Sequence, residues 1–139
     1  MTISLYDVSV GTFLQILGSA EGFLAKGLAH CKEKGIDPNE IVETRLFPDM
    51  LPFRFQVVSL CHHSRGAVDG AMAGQFSPPK PAGEDYAGLQ KLVADARAQL
   101  ASVKADAVNG LEGKDVTFVL GDRKIPFKAQ DFLMTFSLP

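Results

Sequence analysis

The side chains that could carry chemistry in this sequence fall in three places. His62-His63 is an adjacent pair of imidazoles, the commonest metal ligands and the side chains that ordinarily titrate near neutral pH. Successive helical residues diverge by about 100°, so at most one of the pair faces a packed interior. His63 is the stronger metal candidate and His62 the weaker, with His30 the only other histidine. Cys31 and Cys61 would be nucleophiles only as thiolates, and apart from their sequence neighbours Lys32 and His62 neither has a setting that lowers a thiol pKa. Core packing as small hydrophobes is the expectation for both. Arg45, Asp49, Arg54 and Gln56 form a third group. Their guanidinium and amide groups could hold an anionic small molecule by charge-assisted hydrogen bonds, while Asp49 could equally cap the next helix and pair with one arginine. No GxGxxG, Walker, GxSxG or HExxH string is present.

These groups need elements to position them. From Leu5 to Lys34, Tyr6, Val10, Phe13, Leu17, Ala20, Leu24, Leu28 and Cys31 recur every three or four residues, the spacing of one helix face. Val8, Ile16 and Phe23 widen that face, and Gly18, Gly22 and Gly27 within it suit close helix approach. Gly35 should stop the helix in the left-handed conformation. Asp37-Pro38-Asn39-Glu40 predicts a short helix to about Glu43. A second long helix is expected from Pro52 to about Ala73, capped by Asp49, with Val57, Leu60, Cys61, Ser64, Val68, Ala71 and Met72 inward.

The stretch from Gly74 to Gly83 carries Pro78, Pro79 and Pro81 and should be extended. At about 3.1 Å per residue it could reach about 30 Å, enough for the third helix to run parallel to the second. That third helix spans about Glu84 to Val108, with a stripe of Tyr86, Leu89, Val93, Ala96, Leu100 and Val103. Its intervening charges, Lys91, Asp95, Arg97, Lys104 and Asp106, suit a solvated side. Alternating residues over Asp115–Leu120 and Lys124–Lys128, joined at Gly121-Asp122, predict a two-stranded hairpin. Ala129 to Pro139 reads as the opening of a fourth helix. No charge follows Asp131, so the run needs cover from this core, from a second copy, or from further residues.

The chain has 139 residues, 46% hydrophobic and 22% charged, with a formal net charge of −2. This is the profile of a single globular domain over residues 1–139. With 14 basic against 16 acidic residues and no basic run, nucleic acid is not the expected partner. No secretory signal or uninterrupted membrane-span run is seen, so no membrane role is expected. Two distant cysteines suit a reducing, cytoplasmic setting.

The sequence resembles a bacterial domain-of-unknown-function family in the DinB/YfiT-like superfamily of four-helix bundles. The resemblance rests on Met1–Gly11 with Tyr6 and Val8, on 34–38 (KGIDP), and on 45–52 (RLFPDMLP) with Gln56. Residues 118–128 and the ending 131–139 (DFLMTFSLP) also carry it. It implies an all-α, up-down-down-up bundle with a small β-hairpin between helices 3 and 4. Relatives continue for one further helix, so the last helix is expected to be truncated here. Metal-binding members of the wider superfamily join one histidine of the second helix to two of the last. That makes a metal-dependent hydrolase or transferase with a divalent metal on His63 one expectation. A small-molecule-binding module at Arg45–Gln56 is another. The leading expectation is a non-catalytic bundle forming a homodimer through the apolar face around Phe132–Leu138.

Overall fold

A computed structural model describes residues 2–80 and 82–139; Met1 and the linker residue Pro81 lie outside the described residues. Helix α1 (Leu5–Lys34) begins at a reciprocal capping box between Ser4 and Asp7. It ends where Gly35 adopts φ 67°, as its sequence predicts. Val10, Phe13, Leu17, Ala20, Leu24 and Cys31 are buried. Leu28, expected on that face, is 38% exposed, and Phe23 is 48% exposed. By length and composition alone α1 is long and apolar enough to cross a membrane, and its inward stripe packs on α5 inside this chain.

Helix α2 (Pro38–Val42) is capped by Asp37, as expected. The second long helix differs from expectation at its start and in its middle. It begins at Phe53 with Pro52 as the N-cap residue and no side-chain cap bond, so Asp49 does not cap it. Instead the Phe53 N–H bonds the Thr44 carbonyl at 2.9 Å and closes the neck of the intervening loop. Helix α3 (Phe53–Cys61) then passes through a π-helical turn (His62–Gly66) into α4 (Ala67–Ala73).

The proline-rich linker begins with a strand, β1 (Gln75–Phe76). It pairs in parallel with β2 (Asp115–Leu120), Gln75 opposite Thr117 and Phe76 opposite Phe118. Strand β3 (Arg123–Lys128) completes the expected hairpin, so the hairpin is part of a three-stranded sheet ordered β1-β2-β3. A two-residue strand has too little periodicity to register in sequence.

Helix α5 (Tyr86–Ser102) buries Tyr86, Leu89, Val93, Ala96 and Leu100. It stops earlier than its stripe suggests. Val103 turns extended, with ψ 130°, and a separate α6 (Ala105–Asn109) follows. The redirection lets Asn109 Oδ1 accept the Tyr6 N–H at 2.9 Å, satisfying a donor of the first turn of α1. Helix α1 approaches α5 closely at Gly27, where the Tyr86 hydroxyl donates to the Leu24 carbonyl at 2.6 Å. A Cβ on Gly27 would lie 2.6 Å from that hydroxyl oxygen.

The chain ends in α7 (Ala129–Asp131) and a second π-helical turn (Phe132–Ser137). The uncharged ending is largely covered by this chain's own core: Phe132 and Leu133 are fully buried, and Met134, Phe136 and Leu138 are half-buried. The protein is therefore mostly helical, as expected, and the expected hairpin gains β1 as a third strand.

Candidate functional site

The aromatic core explains how the histidines are placed. Phe76 of β1, Phe118 of β2, Phe127 of β3, and Phe132 and Phe136 of the last turn pack together. Phe118–Phe136 ring centroids are 4.8 Å apart and Phe76–Phe132 are 5.1 Å apart. His62 stacks on Phe76 at 4.4 Å, and His63 meets the same ring at 5.3 Å and Phe136 at 5.9 Å. Both imidazoles thus contact the aromatic core, although regular helical spacing predicts only one facing inward. One ring, Phe76, is shared by both, and the two histidines open the π-helical turn. Ser64 supports that turn by donating to the Leu60 carbonyl at 2.7 Å, and Thr135 does the same to Asp131 at 2.6 Å in the second π turn. Such hydroxyl bonds compete with the helical ladder.

His63 lines a cleft of about 320 Å³ between α1, α3 and the last turn. Phe13, Ile16, Leu60, Phe136 and Leu138 form its apolar walls, and Gln56, Ser59, Ser64 and Ser137 supply polar groups. The Ser137 hydroxyl donates to the His63 carbonyl at 2.9 Å, and its oxygen lies 3.2 Å from His63 Nδ1. A hydroxyl has one proton, and the carbonyl takes it. Ser137 Oγ must then accept from the ring, which assigns the Nδ1–H tautomer and leaves the Nε2 lone pair without a protein donor among the described residues. Burial, then the neighbouring His62, holds the His63 pKa below its ordinary value, favouring the neutral ring. This polarity also means that His63 does not activate Ser137 as a nucleophile, since the ring donates to the serine.

The other imidazole faces elsewhere. His62 Nε2 bonds the Ser77 carbonyl. Among the described residues no three His, Cys, Asp or Glu side chains converge to hold a metal. The His63 surroundings of serine, glutamine and phenylalanine do not fit an open three-ligand site. Cys31 and Cys61 are both buried, as expected. Burial pushes the Cys61 thiol up to about 11, outweighing the lowering effect of Arg65, so it is no thiolate at neutral pH.

The four residues of the Arg45–Gln56 group are divided. Gln56 bonds the Leu51 carbonyl at 3.2 Å and lines the His63 cleft. Arg45 and Arg54 line a different cleft, also about 320 Å³, with Glu43 and Lys80. Asp49 is exposed on the loop and lines neither. Arg54 pairs with Glu43 at 2.8 Å, not with Asp49 as sequence proximity suggests. Sequence reasoning missed Ser137, Ser59, Phe76 and Lys80. Phe76 alone left a signal, as an aromatic residue within a polar, proline-rich stretch.

A comparison with curated proteins gives no match. A family model described as "Domain of unknown function (DUF1993)" matches residues 5–139, nearly the full length. The chain therefore belongs to this domain-of-unknown-function family, DUF1993.

Proposed function

We propose that the domain is a binding module for a small, uncharged molecule bearing a hydroxyl or amide N–H, held in the His63 cleft. One observation carries this reading: Ser137 Oγ donates to the His63 carbonyl and lies 3.2 Å from Nδ1, an arrangement that commits the Nδ1–H to Ser137 and leaves the Nε2 of a ring biased toward its neutral form as an acceptor beside Gln56 and Ser59. Polar groups converging between apolar walls are a usual form of a small-molecule site, and about 320 Å³ is within the usual size range. Binding without chemistry is supported by the buried, protonated Cys61 thiol and by the direction of the Ser137 hydrogen bonds. The same reading takes α1, the α3–α4 rod, α5 and the closing turns as a DinB-like bundle, supported by the packing of both α1 and α3 on α5.

Saturation-transfer NMR with phenol as probe tests this function, with benzoate as its charged counterpart. Phenol is expected to receive transfer from the wild type and to lose most of it with folded His63→Ala. Undiminished transfer with that variant, or stronger transfer to benzoate, contradicts the proposal.

A further inference from the structure

We infer that a second site, the cleft at the start of α3, binds a small carboxylate that carries an apolar tail. Its charge is asymmetric: Arg45, Arg54 and Lys80 stand at the cleft against one carboxylate, Glu43. Glu43 is occupied by Arg54 at 2.8 Å, and among the described residues no acidic side chain pairs with Arg45 or Lys80. Pro52 and Phe55 of the cleft wall belong to the N-terminal end of α3, which has no side-chain cap. The partial positive charge of a helix start therefore adds to the three cations. Asp49, expected from the sequence as the cap of this helix, is absent from the wall.

The rest of the wall is apolar, and its exposure identifies the other half of the ligand. Leu51 is 50% exposed and Phe55 36% exposed, with Val58 and Pro79 beside them. The loop closed by the Phe53–Thr44 bond also holds Leu46 and Phe47 in water, 82% and 67% exposed. Apolar side chains held outward beside cations match an amphiphile with an anionic head, not an inorganic anion or a neutral oil. The concave shape and volume of about 320 Å³ favour one small molecule over a flat surface. The guanidinium of Arg45 would take the carboxylate, with Arg54 and Lys80 adding charge, and the tail would lie over Leu51 and Phe55.

Calorimetric titration of the full chain with decanoate below its micelle concentration tests the inference. Decanol, decyltrimethylammonium and acetate serve as comparisons. Decanoate is expected to bind one per chain, about tenfold tighter than decanol, the size of one charge-assisted hydrogen bond. Acetate and the cation should show no heat. Arg45→Gln, at an exposed position, should keep the wild-type melting temperature and weaken decanoate about tenfold. His63→Ala should leave decanoate binding unchanged, which separates this site from the other cleft. Equal binding of decanol, an unaffected Arg45→Gln, or loss of binding in His63→Ala would each overturn the assignment. So would cosedimentation with anionic vesicles without binding of monomeric decanoate, because the patch would then be a membrane-contact surface.

Discussion

Replacing Gly27 by alanine separates helix propensity from tertiary packing with opposite signs. In an exposed helix interior the change stabilises by about 1 kcal/mol. In this protein the new Cβ would stand 2.6 Å from the Tyr86 hydroxyl oxygen, closer than real Cβ contacts allow. The hydroxyl would have to leave the Leu24 carbonyl, which it now meets at 2.6 Å in a buried setting. An orphaned buried hydroxyl costs about 1–3 kcal/mol, and shifting the ring within a packed core costs about 1–3 kcal/mol more. Subtracting the propensity gain, Gly27→Ala should destabilise by about 1–5 kcal/mol. Tyr86→Phe alone should cost about 0.5–1.5 kcal/mol. With both changes the clash disappears, because the Cβ position is 3.8 Å from the ring carbon Cζ, an ordinary contact. The double variant should therefore lie within about 1 kcal/mol of wild type, giving a favourable coupling of about 2 kcal/mol or more. Urea unfolding followed by far-ultraviolet circular dichroism, with unchanged m values, measures all four corners. Gly27→Ala as stable as wild type, or costs that simply add, would refute the close approach of α1 and α5 at this point.

Phe132→Ala should destabilise by about 3–5 kcal/mol in the same assay, since Phe132 is fully buried against Phe76, Phe127 and Phe136. Asp49→Ala should fall within about 0.5 kcal/mol of wild type; a loss of about 1 kcal/mol would restore the capping role that the structure withholds. His63 gives a pH dependence of definite sign. Its folded pKa is below the ordinary 6.5, so just beneath that value the unfolded chain binds more protons. This stabilising contribution is fully present above the unfolded pKa and declines as pH falls through that value, until the folded ring also protonates. Urea midpoints measured across the window should fall less steeply for His63→Asn than for wild type.

The long helices were legible because their buried stripes extend over several turns. The stripe Val10, Phe13, Leu17, Ala20, Leu24 in α1 and the stripe Tyr86 to Leu100 in α5 are buried as their spacing predicts. Boundaries set by distant partners were not. The break after Ser102 accompanies the contact of Asn109 with Tyr6, and the start of α3 accompanies that of Phe53 with Thr44, contacts that local periodicity does not encode. Strand β1 was hidden because its pairing with Thr117 and Phe118 lies far along the chain. At the site, His63 and Gln56 were recognisable by type, and Arg45 and Arg54 by their proximity. The π turn that opens at the two histidines has no composition signature, and neither does their shared contact with Phe76 or the Ser137 bond that selects a tautomer. Local sequence also put Asp49 with the arginines, whereas folding gave Arg54 to Glu43.

The most direct test is nitrogen-15 NMR of the His63 ring at a pH above its titration, with and without phenol. The account predicts a protonated Nδ1 and an unprotonated Nε2, and a phenol-dependent shift confined to Nε2. A ring protonated at Nε2, or an Nε2 resonance indifferent to phenol, would contradict it.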